Sequence, residues 1–105
     1  MYLADILFFE RFEVDILSGA KTITIRDKTE KNFLPNTIVQ VSTYETRRWF
    51  CQILIKDVQP IRYDELSEFH ANQENMSLEE LKAVIDEIYP NVRDLYVITY
   101  VLLGS

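Results

Sequence analysis

The chain has little of what small proteins use to staple themselves together or to hold a metal. Its 105 residues include one cysteine, one histidine, two glycines and three prolines. A lone cysteine excludes an internal disulfide, and the setting of Cys51 between Trp49-Phe50 and Gln52-Ile53 predicts an inert core thiol. With His70 as the sole imidazole, zinc deamination of a base lacks its ligand set, and a Ser-His-Asp triad would have to use a residue expected on the polar side of a short helix. Two glycines do not make a glycine-rich phosphate loop. No apolar run approaches bilayer length, and the N-terminus carries none of the segments of a signal peptide. Positive charge is also scarce. Eleven Lys and Arg against seventeen Asp and Glu give a formal charge of −6, which opposes the counterion release that holds proteins on long nucleic acid. The expectation is a soluble, cytoplasmic protein without cofactor, metal, membrane or nucleic-acid partner.

What is present is a hydrophobic content of 48%, enough for a core in one domain spanning residues 1–105. Phe9, Phe12, Ile16 and Leu17 recur at helical spacing and predict a helix over 9–18, with Gly19 as its C-cap glycine. Residues 22–27 read as a strand and Lys28 to Asn36 as a loop. Ile38 to Tyr44 and Arg48 to Val58 form a hairpin around Glu45-Thr46-Arg47. After Pro60, Leu66 and Phe69 mark a short helix with Asp64 as N-cap, and Asn72-Gln73-Glu74-Asn75 breaks it. Ser77 with Glu80 is a capping box for a helix whose stripe is Leu78, Leu81, Val84, Ile85 and Ile88. Leu95 to Leu103 is the last strand. The order helix, strand, strand, strand, helix, helix, strand predicts an α+β fold around a curled sheet or small barrel.

Chemistry concentrates in Gly19-Ala20-Lys21-Thr22-Ile23-Thr24-Ile25-Arg26, where a possible base, a possible nucleophile and a fixed cation lie within six residues. A hydroxyl becomes nucleophilic beside a proton acceptor, and lysine serves once its ammonium is destabilised. The plain alternative is a solvated Lys21, a strand-forming Thr24 and an Arg26 paired with Asp27 or Glu30. Residues three apart on a strand face opposite ways, so Lys21 and Thr24 cooperate only if Lys21 lies in the turn before it. Lys21, Arg26, Lys28 and Lys31 also gather charge here, while residues 64–87 hold eight acids against Lys82. Among those acids Glu74 stands out, because it lies between two helices. It serves either chemistry or the N-terminus of the next helix.

The blocks Phe8-Phe9-Glu10-Arg11-Phe12, Asp15 to Asp27, His70 to Leu78 and Ile88-Tyr89-Pro90 together resemble the bacterial N(4)-acetylcytidine amidohydrolases, small ASCH-superfamily proteins with a PUA-like β-barrel of mixed strands and flanking helices. The resemblance implies Lys21 as proton acceptor, Thr24 as nucleophile and Glu74 as proton donor in hydrolysis of a small modified nucleoside to cytidine and acetate. Arg26 is a candidate contact to substrate or to the oxyanion. Pyrimidine-facing aromatics would come from Phe8, Phe9, Tyr44 and Trp49, each also suited to the core. PUA-like relatives suggest one rival, an RNA-binding module without catalysis.

Overall fold

The computed structural model describes residues 4–104. Strand β1 (Asp5–Phe8) opens it. A short 3-10 turn over Glu10–Phe12 then leads into helix α1 (Glu13–Leu17), so the helix expected over 9–18 is present but begins as 3-10 structure. Next come β2 (Ile23–Arg26), a 3-10 turn over Lys28–Glu30, β3 (Ile38–Thr43) and β4 (Trp49–Arg62). Another 3-10 turn over Tyr63–Glu65, helices α2 (Glu68–Gln73) and α3 (Leu78–Ile88), and β5 (Asp94–Gly104) complete the chain.

The class is α+β as expected, with one strand more than periodicity revealed. β1 has only four residues and no turn residue parts it from the helix. It is a strand because it pairs in parallel with β3, Ile6 opposite Val41 and Phe8 opposite Thr43. β4 outruns its expected end as well. Pro60 does not stop it, because β3 pairs only with residues up to Leu54; beyond that β4 has one partner, β5, and a missing N–H on the free side breaks no ladder bond. α2 consequently starts later: Ser67, not Asp64, is its N-cap, and Leu66 is buried where Phe69 is exposed. The capping box Ser77–Glu80 and the buried Leu81 and Ile85 of α3 are as the sequence indicated.

The strands form one mixed sheet in the order β1-β3-β4-β5-β2. Register shifts leave Phe50 and Lys56 of β4 and Leu103 of β5 as extra residues against their partner strands, and they bend β4 and β5 and increase their twist. The sheet curls until its two end strands, β1 and β2, face each other, joined by an Arg26 Nη2 bond of 2.8 Å to the carbonyl of Leu7. One core, with Ile6, Phe8, Ile16, Val41, Ile53 and Ile98, fills the curl against α1. A second, with Ile23, Ile25, Leu66, Ala71, Leu81 and Ile85, packs α2 and α3 on the outer side of β2. Each fully buried aliphatic side chain is worth about 1.5–3 kcal/mol. β2 therefore gives Ile23 and Ile25 to one core and turns Thr24 to the seam.

Candidate active site

The seam between β1 and β2 is where backbone pairing stops, so side chains serve its strand edges. α1 ends on Gly19 at φ 81°, a left-handed reversal that glycine adopts without a Cβ penalty. The reversal lets the backbone N–H of Lys21 reach the carbonyl of Asp15 at 3.0 Å, which sets Lys21 in the turn before β2. Its carbonyl takes the hydroxyl of Tyr100 at 3.0 Å, and its Nζ donates to the edge carbonyl of Ile23 at 3.0 Å. Glu74 is placed by a second helix ending. Asn75 N–H bonds the Asn72 carbonyl and Met76 N–H the Ala71 carbonyl, a Schellman closure with Asn75 at φ 57°, and Glu74 is the C-cap residue it locks in place.

These two endings bring Lys21 Nζ and Glu74 Oε1 into contact as an ion pair. Among the described residues the buried polar or charged side chains are Lys21, Thr24, Glu74 and Thr43, the first three at 4%, 4% and 5% exposure. Thr43 is explained by its turn, where its hydroxyl meets Thr46 and accepts the Arg48 N–H. The others have no such structural account. A buried ion pair seldom stabilises a fold beyond what apolar side chains of like size would do. Burial first, and the charge of Arg26 second, lower the Lys21 amino group to about 7 against the opposing charge of Asp15. The rings of Phe12 and Phe8 lie 5.2 and 5.7 Å from Nζ. On the same face of β2, Arg26 Nε donates to Thr24 Oγ1 at 2.8 Å.

The three residues open into one cavity of about 660 Å³, a size that accommodates a small ligand. Phe8 and Ile25 line it, Met76, Ile85 and Tyr89 form an apolar wall, and Phe9, Tyr44 and Arg47 reach its rim.

No protein-family model matches the chain. A protein of Shewanella sp. strain W3-18-1 named N(4)-acetylcytidine amidohydrolase is 57% identical over 103 residues, 98% of this chain and all of its own. One of the same name from Vibrio vulnificus is 61% identical over 93 residues, 89% of each chain. The chain belongs to the N(4)-acetylcytidine amidohydrolase family.

Solved structures agree on the fold of this amidohydrolase family member. An ASCH domain from Lactobacillus crispatus superposes with a TM-score of 0.75 at 16% identity, covering 99% of this chain and 82% of its own. A protein from Enterococcus faecalis gives 0.77 at 16%, covering 99% and 78%. The PUA-like α+β expectation stands on these.

Lys21, Thr24, Glu74 and Arg26 all line the cavity, whereas Lys28 and Lys31 do not. Arg26 pairs with Glu30, as the plain alternative had it, yet this pair is mostly buried and reaches Thr24 as well. Of the aromatics, Phe8 is buried beneath the site, Phe9 packs on Tyr44, and Trp49 lies elsewhere, its indole N–H on Gln40. Cys51 is buried with its thiol pushed up to about 11 by desolvation, in keeping with an inert core position. His70, expected on the surface, is half-buried and its Nδ1 accepts the Ser67 N–H at the start of α2. Glu30 entered the sequence reading only as an ordinary partner of Arg26, and Tyr100 not at all, since it sits in an apolar strand where no local signal marks it.

Proposed function

We propose that the chain hydrolyses the acetyl amide of N(4)-acetylcytidine, releasing cytidine and acetate, with Thr24 as nucleophile, Lys21 as base and Glu74 as acid. The observation that carries this reading is the burial of these three groups, and of no other functionally unexplained polar side chain among the described residues, around one cavity. A lysine buried in a cleft with its amine lowered to about 7 is the kind of group that marks a functional site. Hydrolysis of an amide through a covalent intermediate uses a nucleophile with a paired base and acid, and Thr24, Lys21 and Glu74 offer these types around the cavity.

The pair holds a single proton whether written as ammonium and carboxylate or as amine and carboxylic acid. When substrate displaces water the neutral form becomes competitive, since neither charge is then solvated. The amine of Lys21 takes the Thr24 proton as Oγ1 attacks the acetyl carbon. The carbon to N(4) bond breaks, Glu74 protonates the departing nitrogen, and cytidine leaves an acetyl-threonine ester beside an ion pair. Water then attacks the ester, its proton passing to Glu74, while Lys21 returns a proton to Thr24. Acetic acid departs, giving its proton to solvent as acetate, and the pair is again neutral.

The test is acetate release from N(4)-acetylcytidine by the pure protein beside a folded Thr24→Ala variant. Turnover should fall at least about 1000-fold, the scale on which losing a nucleophile acts. Equal rates would remove Thr24 from the mechanism, and absence of hydrolysis joined to RNA binding that weakens steeply with salt would favour the rival RNA-binding module.

A further inference from the structure

Arg26 was a candidate grip on substrate, but its nitrogens are committed to the protein. Nε donates to Thr24 Oγ1 at 2.8 Å, Nη1 to both oxygens of Glu30 at 3.1 and 2.9 Å, and Nη2 to the Leu7 carbonyl at 2.8 Å. The guanidinium lies 4.7 Å from the Phe8 ring centroid and its side chain is 12% exposed. Glu30 is held too: it ends the 3-10 turn that follows β2, its N–H bonded to the Asp27 carbonyl at 3.1 Å. A planar fork with every nitrogen engaged is a rigid fixture.

We propose that Arg26, braced by Glu30, is a positioning residue that orients the Thr24 hydroxyl for attack. The inference rests on the reading of Thr24 as nucleophile. A hydroxyl has one hydrogen and two lone pairs, and the Arg26 N–H occupies one of those pairs. The hydroxyl hydrogen must then point away from Arg26, into the cavity that Lys21 also lines. Once that hydrogen leaves, the same fixed cation faces the oxyanion and needs no rearrangement to stabilise it. In most activated-nucleophile sites the third group orients the base; here it orients the nucleophile. The Arg26 charge additionally favours the neutral amine of Lys21.

Arg26→Lys keeps a cation and loses the fork, so kcat should fall by about 100-fold, as for a lost oxyanion donor, with KM within about threefold of wild type. Glu30→Gln, which leaves the Arg26–Thr24 bond possible but unbraced, should lower kcat roughly 10-fold, the scale of an outer partner. Arg26→Gln should also move the alkaline-rising limb of kcat/KM to higher pH, because the Lys21 amine loses the neighbouring charge that favours its neutral form. In NMR, Thr24→Val should shift the Arg26 Nε–H resonance and hasten its exchange with solvent, and that measurement needs no substrate. Should Arg26→Lys fail to fold, Glu30→Gln and the NMR arm carry the decision. A raised KM with unchanged kcat in Arg26→Lys or Glu30→Gln would make Arg26 a substrate contact and overturn the proposal, as would an Arg26 resonance indifferent to Thr24→Val. If the wild type releases no acetate, the functional reading fails, and the NMR arm alone decides the orienting contact.

Discussion

The backbone N–H of Thr22 donates to the carbonyl of Gln73 across 2.8 Å. Lys21 precedes Thr22 and Glu74 follows Gln73, so main chain fastened to main chain, more than the ion pair, sets the distance between amine and carboxylate. Reacting groups tolerate little misplacement, and 1 Å is enough to cost about 100-fold in rate.

The Tyr100 hydroxyl steadies the same turn from the other side, through the Lys21 carbonyl. Tyr100→Phe leaves that buried carbonyl without this donor and should cost about 1–3 kcal/mol in urea unfolding. Acetate release at full folding should drop as well; a variant as stable and as active as wild type would mean that the turn is held by its other bonds alone.

Activity should rise with pH through about 7, because the amine of Lys21 is the competent form and burial, helped by the Arg26 charge, has brought it to about 7 from 10.5. The sign for stability follows from proton counting. Between about 7 and 10.5 the unfolded lysine still holds a proton that the folded one has released, so the unfolded state binds more protons and stability rises with pH across that window. Lys21→Arg cannot deprotonate, and should lose both the activity and the limb. A limb that stays near pH 7 in that variant would assign it to another group.

The Lys21–Glu74 pair should be dispensable for folding as a pair and not singly. Lys21→Met or Glu74→Leu alone should destabilise by about 3–5 kcal/mol, since each strands a buried charge, while the double variant should match or exceed the wild type by up to about 4 kcal/mol. Denaturant midpoints decide it. A double variant less stable than both singles would show that the pair is kept for the fold.

Tyr44 is 56% exposed at the cavity rim, its ring 5.1 Å from that of Phe9. If this pair receives the pyrimidine, Tyr44→Ala should raise KM about tenfold, within the range for loss of one base-stacking partner, and leave kcat nearly unchanged. Stability should move by less than about 1.5 kcal/mol, the scale of one aromatic pair. An unaltered KM would place the base elsewhere in the cavity.

Local sequence was informative where local physics decides. The Ser77–Glu80 box, the Gly19 reversal and the β3–β4 hairpin are all near-neighbour effects, and each is present, while the stripe of α3 is buried at Leu81 and Ile85 but leaves Ile88 exposed. β1 and the far half of β4 were not legible, because what makes Asp5–Phe8 a strand is β3, some thirty-five residues on, and what spares Pro60 is the absence of a second neighbour. Phe69, placed inside by spacing, is outside because α2 begins only after Ser67.

The same division runs through the site. Sequence determined the family, the residue types at 21, 24, 26 and 74, and the need for Lys21 to precede the strand, since a period of two on β2 sends residues 21 and 24 to opposite faces. Only the tertiary structure decided that Glu74 meets Lys21, that Arg26 serves Thr24 with Glu30 behind it, and that Tyr100 holds the turn. Those partners come from separate elements across a seam between two strand edges. Burial there makes an unpaired donor or charge costly, so the fold selects partners by proximity in space, which no local pattern records.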